Sequence, residues 1–293
     1  MTLNALSIDV EDYFQVSAFE RVSPPDTWDS REWRVAANTE RVLDILEAAG
    51  NVRATFFILG WVAERCPDLV RRITAAGHEV ASHGFGHQRI CFLEPEAFRE
   101  DIRRSKDLLE DLCGQAVTGY RAPSYSISER TPWAFDELYG AGYLYDSSIC
   151  PVKHDFYGMP HWPRFDCMAV KNTEGAWCPL PSATPQCTAL RSIPVSTVRV
   201  GGRNIPIAGG GYFRLFPYAV TRWGLNSINR GEEKPFVFYL HPWELDPAQP
   251  RMHGAGWKSN FRHYLNLDRT ERRFVQLLKD FRFAPIREVF EIN

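Results

Sequence analysis

Two histidines four residues apart, His83 and His87, stand in the stretch Ser82-His83-Gly84-Phe85-Gly86-His87. Neutral imidazole is a good ligand for zinc and its first-row neighbours, and two at this spacing can reach one ion. The intervening glycines suit a tight loop and weaken a helix interior. The pair therefore belongs on a loop leaving the strand-like run 78–82, unlike the helical HExxH of metalloproteases. Other polar groups fall where an apolar run stops: Asp9, Arg121, Asp146 and His241. In α/β barrels the C-terminal rim of the strands is where active sites are built. Singly, each reads as a turn residue, a surface ion pair or a core histidine. Together with the histidine pair they describe a site.

The surrounding pattern supplies the elements to position them. Residues 3–10 read as a buried strand running into the acidic end Asp9-Val10-Glu11-Asp12, followed by an ordered loop over 19–33. Asn38 is the expected N-cap of a helix to Ala49, and Thr55-Phe56-Phe57-Ile58 a second buried strand. Helices over 68–76 and 94–112, and strands over 78–82, 117–120 and 143–148, continue the alternation, with a helix from Thr131 or Pro132 toward Tyr139. This is the pattern of right-handed parallel crossovers. The rhythm lapses from Cys150 to Gly211, an irregular β-containing insertion whose best strand is 192–200. It resumes with a helix near 217–229, the strand Phe236-Val237-Phe238-Tyr239-Leu240 and a last helix over 268–281. No linker or repeat divides the chain, so residues 1–293 form one expected domain, with an insertion about 150–211 and a C-terminal extension about 245–293.

A hydrophobic content of 44% and an aromatic content of 13% suffice for a large core. The net charge is −2 without long runs of either sign, which argues against nucleic acid or an anionic membrane held by bulk charge. The seven cysteines, Cys66, Cys91, Cys113, Cys150, Cys167, Cys178 and Cys187, include no CxxC pair and fit no complete disulfide framework. They read as small buried hydrophobes in a reducing compartment. No basic, apolar leader follows Met1 and no run reaches the length of a membrane span. The expectation is a cytoplasmic protein, acting before export or at the cytoplasmic face of the inner membrane.

In order, the segments SIDVED, SHGFGH, RAPSY, YDSS and LHPWE resemble the five motifs of the polysaccharide deacetylases, the NodB-homology or carbohydrate esterase family 4 group. The resemblance spans residues 3–244. SIDVEDYF, FYLHPWELDP and FRHYLNL are similar to a subgroup encoded with bacterial exopolysaccharide genes, often beside a PEP-CTERM sorting system. It implies an α/β fold of the distorted (β/α)7-barrel type and a hydrolase of N-acetylhexosamine amides. One divalent metal ion is implied, zinc first, with nickel or cobalt also suited. Its expected ligands are His83, His87 and an acidic residue. The implied roles are Asp9 as general base, Arg121 holding Asp9, His241 as general acid, and Asp146 favouring its imidazolium. The Tyr125 N–H is a candidate oxyanion donor, and Trp162, Trp177, Tyr212 and Trp243 are candidate sugar-stacking residues. The third ligand is open: strand alternation past Asp9 favours Glu11, whereas an immediate turn favours Asp12. The expected partners are an N-acetylated oligo- or polysaccharide and exopolysaccharide assembly machinery. The rivals are an allantoinase-like amidohydrolase and a non-catalytic glycan-binding barrel.

Overall fold

The computed structural model describes residues 1–153, 158–180 and 188–292; Cys187 and parts of the expected insertion lie outside them. β1 (Leu3–Val10) is the keystone strand. Leu6, Ile8 and Val10 face the helix layer, while Ala5, Ser7 and Asp9 alternate to the opposite side. Both faces are buried, which is why the run is almost continuously apolar. Parallel ladders join β1 to β2 (Thr55–Ile58), and then in turn β3 (Glu79–Ser82), β4 (Gly119–Tyr120) and β5 (Tyr145–Asp146). On its other edge β1 pairs with β11 (Val237–Leu240).

β6 (Cys167–Lys171), β7 (Trp177–Leu180) and β8 (Ala189–Ser192) fall inside the expected insertion, yet they extend this sheet. β8 lies parallel to β5, and β6 and β7 follow it antiparallel. Seven parallel strands thus run in the order β11-β1-β2-β3-β4-β5-β8. The expected strand over 192–200 is divided. Pro194 has no N–H to donate, and β9 (Thr197–Val200) instead forms a hairpin with β10 (Arg203–Pro206) through Gly201-Gly202.

The seven strands curve around an interior layer of Ala5, Phe57, Ala81, Tyr145, Ile193 and Val237, closed below by Ile286 and Phe290. Among the described residues the hydrogen-bonded ladder does not close into a full barrel. Between β8 and β11 the gap is spanned by the chain around 196–209: Val237 N–H donates to Ser196 Oγ (2.8 Å) and Tyr239 N–H to Ala208 O (3.1 Å). β12 (Arg282–Ala284) adds to the N-terminal end of β1.

The helices are α1 (Val35–Ala48), α2 (Gly60–Arg65), α3 (Pro67–Ala75), α4 (Pro95–Cys113), α5 (Ala134–Gly140), α6 (Gly210–Leu215), α7 (Tyr218–Asn226), α8 (Trp257–Tyr264), α9 (Leu267–Asp280) and α10 (Ile286–Val289). α4 buries Phe98, Ile102, Ser105 and Leu109 at helical spacing and stops at Gly114, whose φ of 66° suits a left-handed cap. α1 begins before Asn38, because Asp12 from the β1 loop accepts the Arg34 and Val35 N–H groups (2.7 and 2.9 Å). No described helix is long and apolar enough to cross a membrane.

At the floor of the interior Glu79 accepts the Tyr145 hydroxyl (2.8 Å), the Thr55 hydroxyl (2.5 Å) and the Arg287 N–H (3.2 Å). Burial raises its pKa above the ordinary carboxylate value. Tyr145→Phe removes one donor from a buried acceptor, and should lower unfolding free energy by about 1–3 kcal/mol in urea titrations.

Candidate active site

Every parallel strand that carries an expected polar group delivers it at the C-terminal end, and Arg121 ties several of those ends together. The side chain, which follows β4, is fully buried. Its Nη1 donates to Asp9 Oδ1 (2.6 Å) and Ser7 Oγ (2.8 Å), its Nη2 to Ser147 Oγ (2.9 Å) and its Nε to Ser147 O (3.2 Å). The guanidinium lies 4.1 Å from the centre of the Phe57 ring. A buried guanidinium is tolerable only when its donors are matched in this way.

The backbone of Arg121 orients the first histidine. His83 Nδ1 is 2.7 Å from Arg121 O. A carbonyl can only accept, so Nδ1 carries the proton and the Nε2 lone pair faces Glu11 Oε2 at 3.9 Å. Burial holds the His83 pKa down to about 4, which keeps the ring neutral. The loop to His87 is shaped from α4: Asp101 accepts the N–H groups of Phe85 (2.8 Å) and Gly86 (2.9 Å), and Ser105 Oγ donates to Gly84 O (3.1 Å). Gly84 has φ +73°, and a Cβ there would stand 2.7 Å from Asp101 Oδ2. His87 itself has φ 50°, and its Nε2 comes 2.6 Å from Glu11 Oε2.

Glu11 is placed by a tight turn, its N–H donating back to Asp9 O (3.1 Å). Its second oxygen accepts Trp243 Nε1–H (3.2 Å) and lies 3.6 Å from His241 Nε2. Burial alone would raise its pKa, but the imidazoles of His87, His241 and His83 hold it well below the carboxylate range. Ligand atoms of Glu11, His83 and His87 all lie within 4.8 Å of one another, and all three residues are buried. One carboxylate with two imidazoles, one of them fixed by a backbone carbonyl, is a donor set that fits a divalent first-row cation.

Asp12, the other acidic candidate, stands apart from this set. It accepts the N–H groups of Tyr13 (2.8 Å), Arg34 and Val35, and burial pushes its pKa up to about 6. A turn does follow Asp9, contrary to simple strand alternation, yet Glu11 rather than Asp12 meets the histidines.

His241 follows β11, with Nε2 3.9 Å from Asp9 Oδ2. Its Nδ1 is held by Glu244 Oε1 (2.7 Å), which also accepts the His241 N–H (3.0 Å). Glu244 Oε2 in turn accepts from Arg214 Nε (2.6 Å), and Arg214 Nη1 donates to the carbonyls of Arg262 (2.9 Å) and His263 (2.6 Å). Burial opposes charging His241, but Glu11, Glu244 and Asp9 together raise its pKa to about 9. Against its own burial, Arg214 and His241 hold Glu244 down to about 2.

Several expected roles are corrected by this geometry. Asp146 does not face His241: its carboxylate accepts Ser148 Oγ–H and the Ser148 N–H, and burial pushes it up to about 7. Glu244 occupies the position foreseen for it. The Tyr125 N–H donates to Ala122 O (3.1 Å) within the turn Pro123–Tyr125 rather than pointing into the site. Trp162 is core, stacked on Phe135 (5.6 Å, 13°) with its N–H on Ser192 Oγ; Trp177 is buried against the same Phe135. Trp243 is no sugar platform either, being sandwiched between His241 (5.3 Å) and His263 (4.2 Å). Tyr212, on α6, is the candidate that stays half-buried. Glu244, Arg214 and Asp101 were missed. Only Glu244 had a legible signal, an acid three residues after His241 in His-Pro-Trp-Glu, the spacing of a capping box.

Comparison with known proteins bears on this arrangement. Residues 26–141 match the family model described as polysaccharide deacetylase. The chain carries a polysaccharide deacetylase domain of the NodB type. That match takes in the histidine loop and Arg121, while residues 147–291, with His241 and Glu244, match a domain of unknown function (DUF3473). A peptidoglycan-N-acetylglucosamine deacetylase of Bacillus cereus is 34% identical over 100 residues, 34% of this chain and 36% of that protein. A chitooligosaccharide deacetylase of Bradyrhizobium is also 34% identical over 100 residues, 34% of this chain and 43% of that protein. The aligned segments thus span less than half of those curated relatives. Among solved structures, a "probable polysaccharide deacetylase" from Pseudomonas aeruginosa superposes with a TM-score of 0.58 at 16% identity, over 98% of this chain and 89% of that one. Puue allantoinase superposes at 0.57 and 15%, over 98% and 88%. Both likenesses speak to the fold.

Gly84→Ala should cost stability of about 1–3 kcal/mol, since it strains a positive-φ position and drives a methyl into Asp101. Thermal unfolding of this NodB-type domain should show the loss, and Gly86→Ala a smaller one, because Gly86 has ordinary space around its Cβ position.

Proposed function

We propose that the chain is a cation-dependent N-deacetylase acting on N-acetylhexosamine units of a bacterial exopolysaccharide or its precursor. The observation that carries this reading is the pairing of Asp9 and His241, 3.9 Å apart, at the edge of the Glu11–His83–His87 donor set. A divalent cation held by those three side chains, zinc first and nickel or cobalt also suited, would polarise the acetamide carbonyl and acidify a water molecule.

The remaining work falls to this chain's own groups. Arg121 engages Asp9 Oδ1, leaving Oδ2 to accept the proton of the attacking water. Water oxygen bonds to the carbonyl carbon as the π electrons move to the carbonyl oxygen. When that carbonyl re-forms, the C–N bond breaks, and its electron pair leaves on nitrogen. His241 Nε2 donates a proton to that nitrogen, giving the free amine and acetate. Glu244 keeps Nδ1 protonated and aims Nε2, while Trp243 holds both His241 and Glu11 in place. Tyr212 is the stacking residue proposed for sugar, on the strength of its partial exposure. The exopolysaccharide assignment rests on the subgroup resemblance of SIDVEDYF, FYLHPWELDP and FRHYLNL. Six free thiols among the described residues support action in a reducing compartment, before export.

Metal analysis after reconstitution should find about one ion per chain. His83→Ala, His87→Ala and Glu11→Gln should each weaken binding more than about tenfold, and Asp12→Asn should leave it near the parent value. Full occupancy in the His83/His87 double variant would make the pair structural.

Acetate release from acetylated oligosaccharides tests the reaction itself. Asp9→Asn should retain the cation and lower kcat by about a hundredfold or more, with little change in KM. A drop in metal content to match would assign Asp9 to binding instead.

His241 must be protonated to donate, so activity should fall as pH rises through its pKa. That pKa is raised to about 9 by the neighbouring carboxylates, and a cation on Glu11 would move it lower by neutralising one of them. Glu244→Gln removes another carboxylate, so its basic limb should lie at lower pH than the parent's. A limb unchanged in both Glu244→Gln and His241→Ala would move the acid role to another residue.

A further inference from the structure

α8 turns two large aromatic side chains to solvent. Its inner face, His263 with Tyr264, packs toward the site, but Trp257 and Phe261, one turn apart, are 75% and 57% exposed. Lys258 and Arg262 share that outer face, and among the described residues neither has a carboxylate within 4.0 Å. Residues 251–273 hold six Lys or Arg against two carboxylates, in a chain of net charge −2. One of the two, Glu271, is paired with Arg41 at 2.6 Å. The loop before α8 is fixed, with Tyr264 Oη accepting the Met252 N–H (2.7 Å) and donating to Pro250 O (3.1 Å), so the exposed pair is held outward by ordered structure.

We propose that this outer face of α8 docks on an anionic phospholipid bilayer. Trp257 and Phe261 enter the headgroup region, and Lys258 and Arg262 meet lipid phosphates. Exposed aromatics interleaved with cations are the combination that binds such an interface. A neutral glycan is the poorer occupant, because its hydroxyl groups carry no charge to complement Lys258 and Arg262. Overall charge conceals the feature, since acidic residues elsewhere offset a local basic surface. Docking here would hold the reaction centre near lipid: His263, on the inner face of α8, stacks 4.2 Å from Trp243, which stacks 5.3 Å from His241. The inference is independent of deacetylation.

Flotation of the full chain with vesicles tests it. The chain should float with phosphatidylcholine–phosphatidylglycerol vesicles, stay behind with phosphatidylcholine alone, and be released by high salt. Trp257→Ser/Phe261→Ser and Lys258→Glu/Arg262→Glu should each lower partitioning at least about tenfold, with unchanged thermal unfolding. Failure of the parent chain to float would overturn the proposal, as would undiminished flotation of both double variants. Retardation in an N-acetylated polysaccharide gel, lost on Trp257→Ser/Phe261→Ser, would also overturn it if vesicles were not bound.

Discussion

A single buried guanidinium holds the site together. Arg121 reaches Asp9 and Ser7 on β1 and Ser147 beyond β5, and through its own carbonyl it fixes the tautomer of His83. Removing the guanidinium would strand the Asp9 carboxylate in the interior, whereas the carbonyl that orients His83 belongs to the backbone and would stay. Breaking one partner of a buried ion pair typically costs about 3–5 kcal/mol, so its geometry is also a stability constraint. The curved parallel sheet makes the arrangement possible, since it brings strand ends distant in sequence within reach of one side chain.

Five buried carboxylates lie at this end of the fold or just beyond it, and their surroundings give each a different character. Glu11 sits among three imidazoles and stays ionised. Glu244 is held between Arg214 and His241. Asp9 has one oxygen engaged by Arg121 and the other facing His241. Asp12 gathers N–H groups at the start of α1, and Asp146 turns into the Ser148 loop. Residue type alone does not distinguish them; the partner of each oxygen does.

Much of the framework was legible because periodicity reports burial. The continuous apolar run of β1, the helical spacing in α4 and the glycines between the histidines all carried through to the structure. The strand-end rule brought Asp9, His83, Arg121 and His241 into one place. Partnerships made across sequence distance were not legible. Asp12 starts α1 from more than twenty residues away, so Asn38 was the wrong cap. Arg214 reaches Glu244 from α6 with no motif to announce it. Tryptophan gave false platforms, because Trp162 and Trp243 bury their rings against Phe135 and His263. The place of the insertion's strands in the main sheet was not legible for a similar reason: β8 is short and takes its register from β5.

The most direct test is anomalous diffraction at the metal edge from crystals of the reconstituted protein. One peak among Glu11, His83 and His87, with His83 Nδ1 still on the Arg121 carbonyl, is the expected result. A fully occupied peak at Asp12 or at another cluster, with those three side chains unliganded, would contradict the assignment of the site.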